Sequence, residues 1–244
     1  MTIDLRTATR RGSRLYNADG AAIHRVPDTD VVAAAIVDGI GNNPEVAAFS
    51  ALAAEVAARV GARRTATIGI LAAAELVAAP AATAIEPDGV AVVAVAEPGE
   101  ETAIAWTGDA RAYGWDGETL TQRSTDHTVG QYLRVNGVPV EVAKEHDNWV
   151  RTSLGRCSIA TVHSCEIGDP LVLLTSDGVH DQVEHAELEA LVRAHQDVPQ
   201  DLADAIVAAA RADDDGYRDD ATVVVISRAG SFSTSDADQA GEAF

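Results

Sequence analysis

Four aspartate positions in this chain have the residue type and setting for metal or acid–base chemistry. Asp38 follows the apolar run VVAAAIV, Asp109 follows TAIAWTG, Asp177 follows LVLLTS, and the pair Asp219-Asp220 precedes TVVVIS. Each stands at the mouth of an apolar segment, mostly beside glycine, alanine or serine. Carboxylates brought together at such ends would repel one another unless cations neutralise them. Hard divalent ions, Mg2+ or Mn2+, prefer oxygen donors of this kind and keep part of their water. Asp-Gly after a strand is also a common tight-turn signal, and Asp116-Gly117 reads as a hairpin turn with no other role. Position alone leaves a metal site and a set of turns evenly matched.

The segments that must position these residues can be read from apolar periodicity. Val31–Val37, Val90–Ala96, Thr102–Trp106, Leu171–Thr175 and Thr222–Ser227 are short apolar runs of strand length. Val90–Ala96 and Thr102–Trp106 are joined by the polar turn EPGEE, and Ala110–Trp115 pairs with Thr119–Gln122 across Asp116-Gly117. Helices are expected after Pro44 as far as Gly61, over Thr65–Ala79, His185–His195 and Gln200–Arg211, with mixed helical character over Asp126–Asn148. Strands in hairpin-like groups and helices in pairs argue for an α+β layering, not for alternating βαβ units. A single domain over 1–228 is expected, followed by a Ser-, Asp- and Gly-rich tail over 229–244 that should be disordered.

Composition narrows the functional classes. The chain has 244 residues with 38 Asp and Glu against 18 Lys and Arg, a formal charge of −20. That field opposes nucleic acid and anionic membranes, and it opposes a phosphate substrate too unless cations sit in the site. Aromatics are only 4%, so alanine and branched aliphatics must build the core. The N-terminus has no apolar run and no stretch reaches membrane-spanning length, which gives a cytoplasmic expectation. The two cysteines, Cys157 and Cys165, are expected to be reduced; neither has an arginine six residues on, where His163 and Leu171 stand instead. Cysteine-based phosphoryl chemistry of the Cys-x5-Arg kind is therefore absent. Gly39-Ile40-Gly41 is a partial dinucleotide fingerprint, but Pro44 occupies the third glycine position and Asp38 would face the pyrophosphate.

Six segments, in order along the chain, resemble the PPM (PP2C-like) metal-dependent phosphatase family of bacterial type. Gly12-Ser13-Arg14-Leu15-Tyr16-Asn17-Ala18-Asp19 resembles G-x-R-x-x-N-E-D, and Asp38-Gly39-Ile40-Gly41 resembles D-G-M-G. Gly108-Asp109-Ala110-Arg111-Ala112-Tyr113 is similar to G-D-S-R-x-Y, and Leu120-Thr121 with Asp126-His127-Thr128 to L-T-x-D-H-S. Ser176-Asp177-Gly178-Val179 with Asp181 resembles S-D-G-L-x-D, and Asp219-Asp220-Ala221-Thr222-Val223 resembles D-N-x-T-V; Thr152-Ser153-Leu154-Gly155 adds a shorter likeness to x-x-L-G.

The resemblance implies a four-layer αββα sandwich: two antiparallel sheets flanked by helices. It implies hydrolysis of phosphoserine and phosphothreonine in proteins by a water bridged by two Mn2+ or Mg2+ ions. Asp38 would bridge the ions, the Gly39 carbonyl would bind one, Asp177 and Asp219 would be direct ligands, and Asp109 would help hold a third, weaker ion. Arg14 would contact the substrate phosphate, its fork matching two oxygens, and Asp19 would hold metal-bound water. An opposing serine/threonine kinase is the expected partner. Alanine at 18 removes the family glutamate, which motivates an alternative: a phosphatase-like binding protein with little turnover. A small-molecule phosphomonoesterase is a further alternative. Ile40 cannot donate a proton, so water would protonate the leaving group. Asp220 replaces an asparagine and adds charge beside Asp219, with stronger cation binding or a raised pKa as the expected effect. Arg111, the histidines, the tryptophans and Asp213–Asp215 are expected in structural or solvated roles.

Overall fold

The structure is a computed structural model and describes residues 2–77 and 87–229. Its strands are β1 (Thr2–Arg10), β2 (Asp19–Arg25), β3 (Val32–Ile40), β4 (Asp88–Ala96), β5 (Thr102–Thr107), β6 (Arg111–Trp115), β7 (Leu120–Gln122), β8 (His163–Ile167), β9 (Leu171–Thr175) and β10 (Ala221–Ala229). Its helices are α1 (Pro44–Arg63), α2 (Ala66–Ala74), α3 (Val129–Val135), α4 (Val140–Lys144), α5 (Asp177–His180), α6 (His185–His195) and α7 (Pro199–Ala209), with a 3-10 turn at Leu154–Arg156. The strands form two five-stranded antiparallel sheets, ordered β1-β10-β9-β6-β7 and β2-β3-β4-β5-β8.

Each apolar run is a strand buried on both faces, which is why apolar residues fill it without alternating. In β3, Val32, Ala34 and Ile36 face the inter-sheet core while Ala35 and Val37 face the layer beneath α1 and α2. In β10, Val224 and Ile226 face the inter-sheet core while Val223 and Val225 pack with Leu188, Leu202 and Ile206 of α6 and α7. Three apolar layers thus lie between four layers of structure, and the α+β sandwich expectation holds.

The shortage of aromatic rings has a packing consequence. Helix α1 turns Ala53, Ala54, Ala57 and Ala58 inward, and small side chains let its backbone come close to the sheet. It starts where Pro44 sits in the first turn and the Asn43 side chain accepts from the Val46 N–H at 2.8 Å. At the contact, a Cβ on Gly39 would lie 2.5 Å from Val46 Cγ1 and 2.7 Å from the Ala18 carbonyl oxygen.

The differences from the sequence reading are specific. β1, β2 and β8 were not expected as strands, and α2 ends at Ala74, short of Ala79. Residues 78–79 and the tail beyond Ala229 lie outside the described residues. Trp106 and Trp115 are buried as expected, but Trp149 is 60% exposed. No helix among the described residues is long and apolar enough to cross a membrane.

Candidate functional site

Antiparallel pairing brings the sequence-marked aspartates to one end of the sandwich. Asp38 is near the end of β3, and its register partner on β2 is Asp19. Asp177 follows β9, and Asp219 precedes β10, whose Val223 pairs with Thr175. Asp109 lies between β5, in one sheet, and β6, in the other. Arg14 lies in the connection that leaves β1 at this same end, where Arg10 pairs with Ala221. Arg14, Asp38, Gly39, Asp109, Asp177 and Asp219 all line one cavity of about 550 Å3. Asp19 stands behind it: Ser176 Oγ donates to its carboxylate at 2.7 Å.

The three-dimensional setting separates the glycines that sequence alone could not. Gly117, at φ 107°, is a true turn residue, and Asp116 caps that hairpin by accepting from the Glu118 and Thr119 N–H groups, each at 2.8 Å. Gly39 and Gly178 have no positive φ. They are small because a Cβ would collide, at Gly39 with α1 and at Gly178 with the Asp220 carbonyl.

The carboxylates are crowded. Burial and then the charges of Asp177 and Asp19 push Asp38 well above the ordinary carboxylate range. Burial and then the charge of Asp219 raise Asp177 as well. Asp219 is paired with Arg14 at 3.1 Å. Among the described residues, no three His, Cys, Asp or Glu side chains are gathered into a group that could hold a metal ion. A water-rich divalent ion takes one or two carboxylates with its remaining positions hydrated, so the all-oxygen donor set here suits Mg2+ or Mn2+.

No protein-family model and no curated protein sequence matches the chain. Solved structures do. The serine/threonine phosphatase Stp1 from Staphylococcus aureus is 19% identical, with a TM-score of 0.78 over 94% of this chain and 96% of that one. The PPM Ser-Thr phosphatase MsPP from Mycobacterium smegmatis, solved in complex with cacodylate, is 23% identical, with a TM-score of 0.67 over 93% of this chain and 99% of that one. The Mycobacterium tuberculosis serine/threonine phosphatase PstP/Ppp is 22% identical, with a TM-score of 0.66 over 93% and 99%. The chain has the PPM-phosphatase fold.

Within this PPM fold, Asp220 meets one half of its expectation, since its charge is among the causes that raise Asp19, but it stands apart from the cavity. Its side chain does not join the cavity. It is 2% exposed and accepts from the Gly12 N–H at 2.7 Å and the Ala18 N–H at 2.8 Å. The added carboxylate is thus engaged by backbone amides at both ends of the loop that carries Arg14. Ala18 is 1% exposed and supplies only its backbone: its carbonyl also accepts from the Gly39 N–H at 3.1 Å. Ile40 is 52% exposed on the cavity lip and brings no proton donor.

Other expectations are met. Arg111 is paired with Asp126 through both ends of its guanidinium, at 2.6 to 3.1 Å. His127 Nδ1 accepts from the Gly108 N–H at 3.2 Å, and burial followed by the charge of His163 lowers its pKa to about 4, so it stays neutral. Asp213, Asp214 and Asp215 are exposed, and both cysteines are free.

Asp88, Asn148 and Arg156 line the cavity without having been singled out from sequence. The signal for Asp88 was present: Asp88-Gly89 opens the run VAVVAVA as Asp219-Asp220 opens TVVVIS. Asp88 accepts from Ser153 Oγ at 2.6 Å and from the Gly155 N–H at 2.9 Å. Nothing in sequence marked Arg156.

Asp109 gives a pH-dependent prediction for chelator-treated protein. Burial, then the charge of Asp177, raises its pKa from 3.8 to about 7. A raised acid favours folding while protonated; its contribution is full below 3.8 and is lost as pH rises to about 7. Asp109→Asn removes that loss. Its stability relative to the parent protein should rise by on the order of 1–3 kcal/mol across this window in urea titrations. A difference that stays flat with pH would contradict the crowding.

Proposed function

We propose that this chain is a metal-dependent phosphatase acting on phosphoserine and phosphothreonine in cytoplasmic proteins, through a domain spanning 1–228. The observation that carries the reading is the meeting of Asp38, Asp109, Asp177, Asp219 and Arg14 in one cavity of a PPM fold. Asp38, the Gly39 carbonyl, Asp177 and Asp219 would hold two Mn2+ or Mg2+ ions, with Asp109 contributing to a third. Bound ions of this kind acidify water and offset negative charge on a phosphoryl group.

The chain's own residues divide the remaining work. Asp38 and Asp177 hold the site in a form that repels anions until cations are present. Arg14 would grip two phosphoryl oxygens, exchanging part of its pairing with Asp219 for the substrate. Asp19, fixed by Ser176 Oγ, supports the water structure behind Asp38. With isoleucine at 40, solvent supplies the proton to the departing alkoxide. The M. smegmatis relative was solved with cacodylate, a tetrahedral oxyanion like the phosphoryl group proposed here. The exposure of Ile40 on the lip and of Leu15 beside Arg14 favours a substrate presented on a protein surface.

The test is release of p-nitrophenol from p-nitrophenyl phosphate with Mn2+ or Mg2+, repeated with excess chelator. Hydrolysis should require the ion. Hydrolysis that persists under chelation overturns the mechanism; ion binding without hydrolysis favours the binding-protein reading motivated by Ala18.

A further inference from the structure

The cavity is larger than a phosphoryl group needs; about 550 Å3 is in the range that holds a drug-sized ligand. Its charged lining is five aspartates, Asp38, Asp88, Asp109, Asp177 and Asp219, against two arginines, Arg14 and Arg156. Arg14 is paired with Asp219 at 3.1 Å. Arg156 is exposed and has no ion pair or side-chain hydrogen bond among the described residues.

Its backbone, by contrast, is held firmly. Arg156 ends the 3-10 turn Leu154–Arg156. Leu154 is 1% exposed in the core beneath α1 and α2. On either side of Leu154, Ser153 and Gly155 are tied to the Asp88 carboxylate at 2.6 and 2.9 Å. Asp88, the first residue of β4, is thereby occupied by the turn, and it makes no ion pair with the guanidinium among the described residues. A free cation on a fixed base can bind an anion with little cost in ordering the chain.

The two arginines also belong to different sides of the seam between the sheets. The Arg14 loop is tied to Arg218 and Asp220, just before β10 in one sheet. The Arg156 turn is tied to Asp88 at the start of β4 in the other. One can serve the phosphoryl group while the other meets what flanks it.

We propose that Arg156 is a specificity residue that selects phosphoserine or phosphothreonine sites with an aspartate or glutamate beside the phosphorylated residue. This rests on the phosphatase reading above and names its substrate class. The guanidinium would donate two hydrogen bonds to the flanking carboxylate, countering the repulsion that a chain of charge −20 exerts on acidic peptides.

The experiment compares kcat/KM on phosphopeptides that differ only in the flanking residues, acidic, neutral or basic, placed on either side of the phosphoresidue, with p-nitrophenyl phosphate alongside. The protein should prefer the acidic-flanked peptide over the neutral one by about fivefold, and the preference should shrink as KCl rises. Arg156→Gln should bring the ratio to about one, Arg156→Lys should keep part of it, and Arg156→Glu should favour basic flanks. Because the readout is a ratio, loss of folded protein cancels. A wild-type ratio near one, or one unchanged in Arg156→Gln, overturns this inference alone. Absence of phosphate release from every ester sinks the hydrolase reading, and this inference with it.

Discussion

Asp38→Asn is expected to lower Mn2+-supported hydrolysis of p-nitrophenyl phosphate by a factor on the order of 10^3 or more in kcat/KM, while making the chelator-treated protein more stable. The two effects have one origin. Asp38 is held among Asp177, Asp19 and Asp109, and its carboxyl is pushed well up, by burial first and by those neighbours next. At neutral pH the folded protein must either carry like charges in contact or retain a proton that the unfolded chain would release. Both oppose folding, and the contribution that a protonated Asp38 makes at low pH is lost as pH rises through its elevated folded value. Asparagine keeps the shape and removes the charge. The gain should be about 1–3 kcal/mol, read as a higher urea midpoint at pH 7 in chelator. A neutral amide is a weaker cation ligand than a carboxylate, so under the proposed function the midpoint rise on adding Mn2+, expected for the parent protein, should largely vanish. A variant that keeps its activity, or that is less stable than the parent without metal, would contradict this account of the site.

Asp220→Ala should be among the most damaging single changes outside the cavity, costing about 2–4 kcal/mol. The carboxylate is 2% exposed and is the acceptor for two backbone N–H groups, of Gly12 and Ala18. Removing it takes the partner from the buried Ala18 N–H and the partly buried Gly12 N–H, at about 1.5–3 kcal/mol for each hydrogen bond to a charged group, less at Gly12 where water can reach. Asp220→Asn keeps one acceptor oxygen but turns an NH2 toward the other donor, so about half the loss is expected. Loosening the Gly12–Ala18 loop also loosens Arg14, whose neighbour Ser13 is held by the Arg218 carbonyl at 2.8 Å and the Arg218 N–H at 3.1 Å. KM for p-nitrophenyl phosphate should therefore rise along the series Asp, Asn, Ala. Denaturant midpoints for Asp220→Ala within about 1 kcal/mol of the parent would show that the clamp is dispensable.

The strands legible in sequence were those buried on both faces or marked by a hairpin turn. β3, β4, β9 and β10 present apolar side chains to two cores at once, so their runs stand out whatever the periodicity. The three strands not anticipated, β1, β2 and β8, are all at sheet edges. In β1 only Ile3 and Leu5 are fully buried among polar neighbours, and β8 reads HSCEI. An edge strand has one hydrogen-bonded flank and a partly solvated face, and its sequence need not be apolar. The site followed the same division. Asp38, Asp109, Asp177 and Asp219 were visible because they interrupt apolar runs, whereas Asp88 was overlooked and Arg156 had no signal.

Sequence by itself determined the interior strands, the helix that starts at Pro44, the aspartates at the strand ends and the order of the motifs, because these are written in local residue type and short-range periodicity. Tertiary structure alone decided which Asp-Gly pairs are turns and which mark a helix or strand packed too close for a Cβ. It also decided that the Asp220 carboxylate binds amides 208 and 202 positions away, and that Asp88 holds the turn bearing Arg156. Those outcomes depend on where distant N–H groups and backbone atoms arrive in space, and no local pattern encodes that.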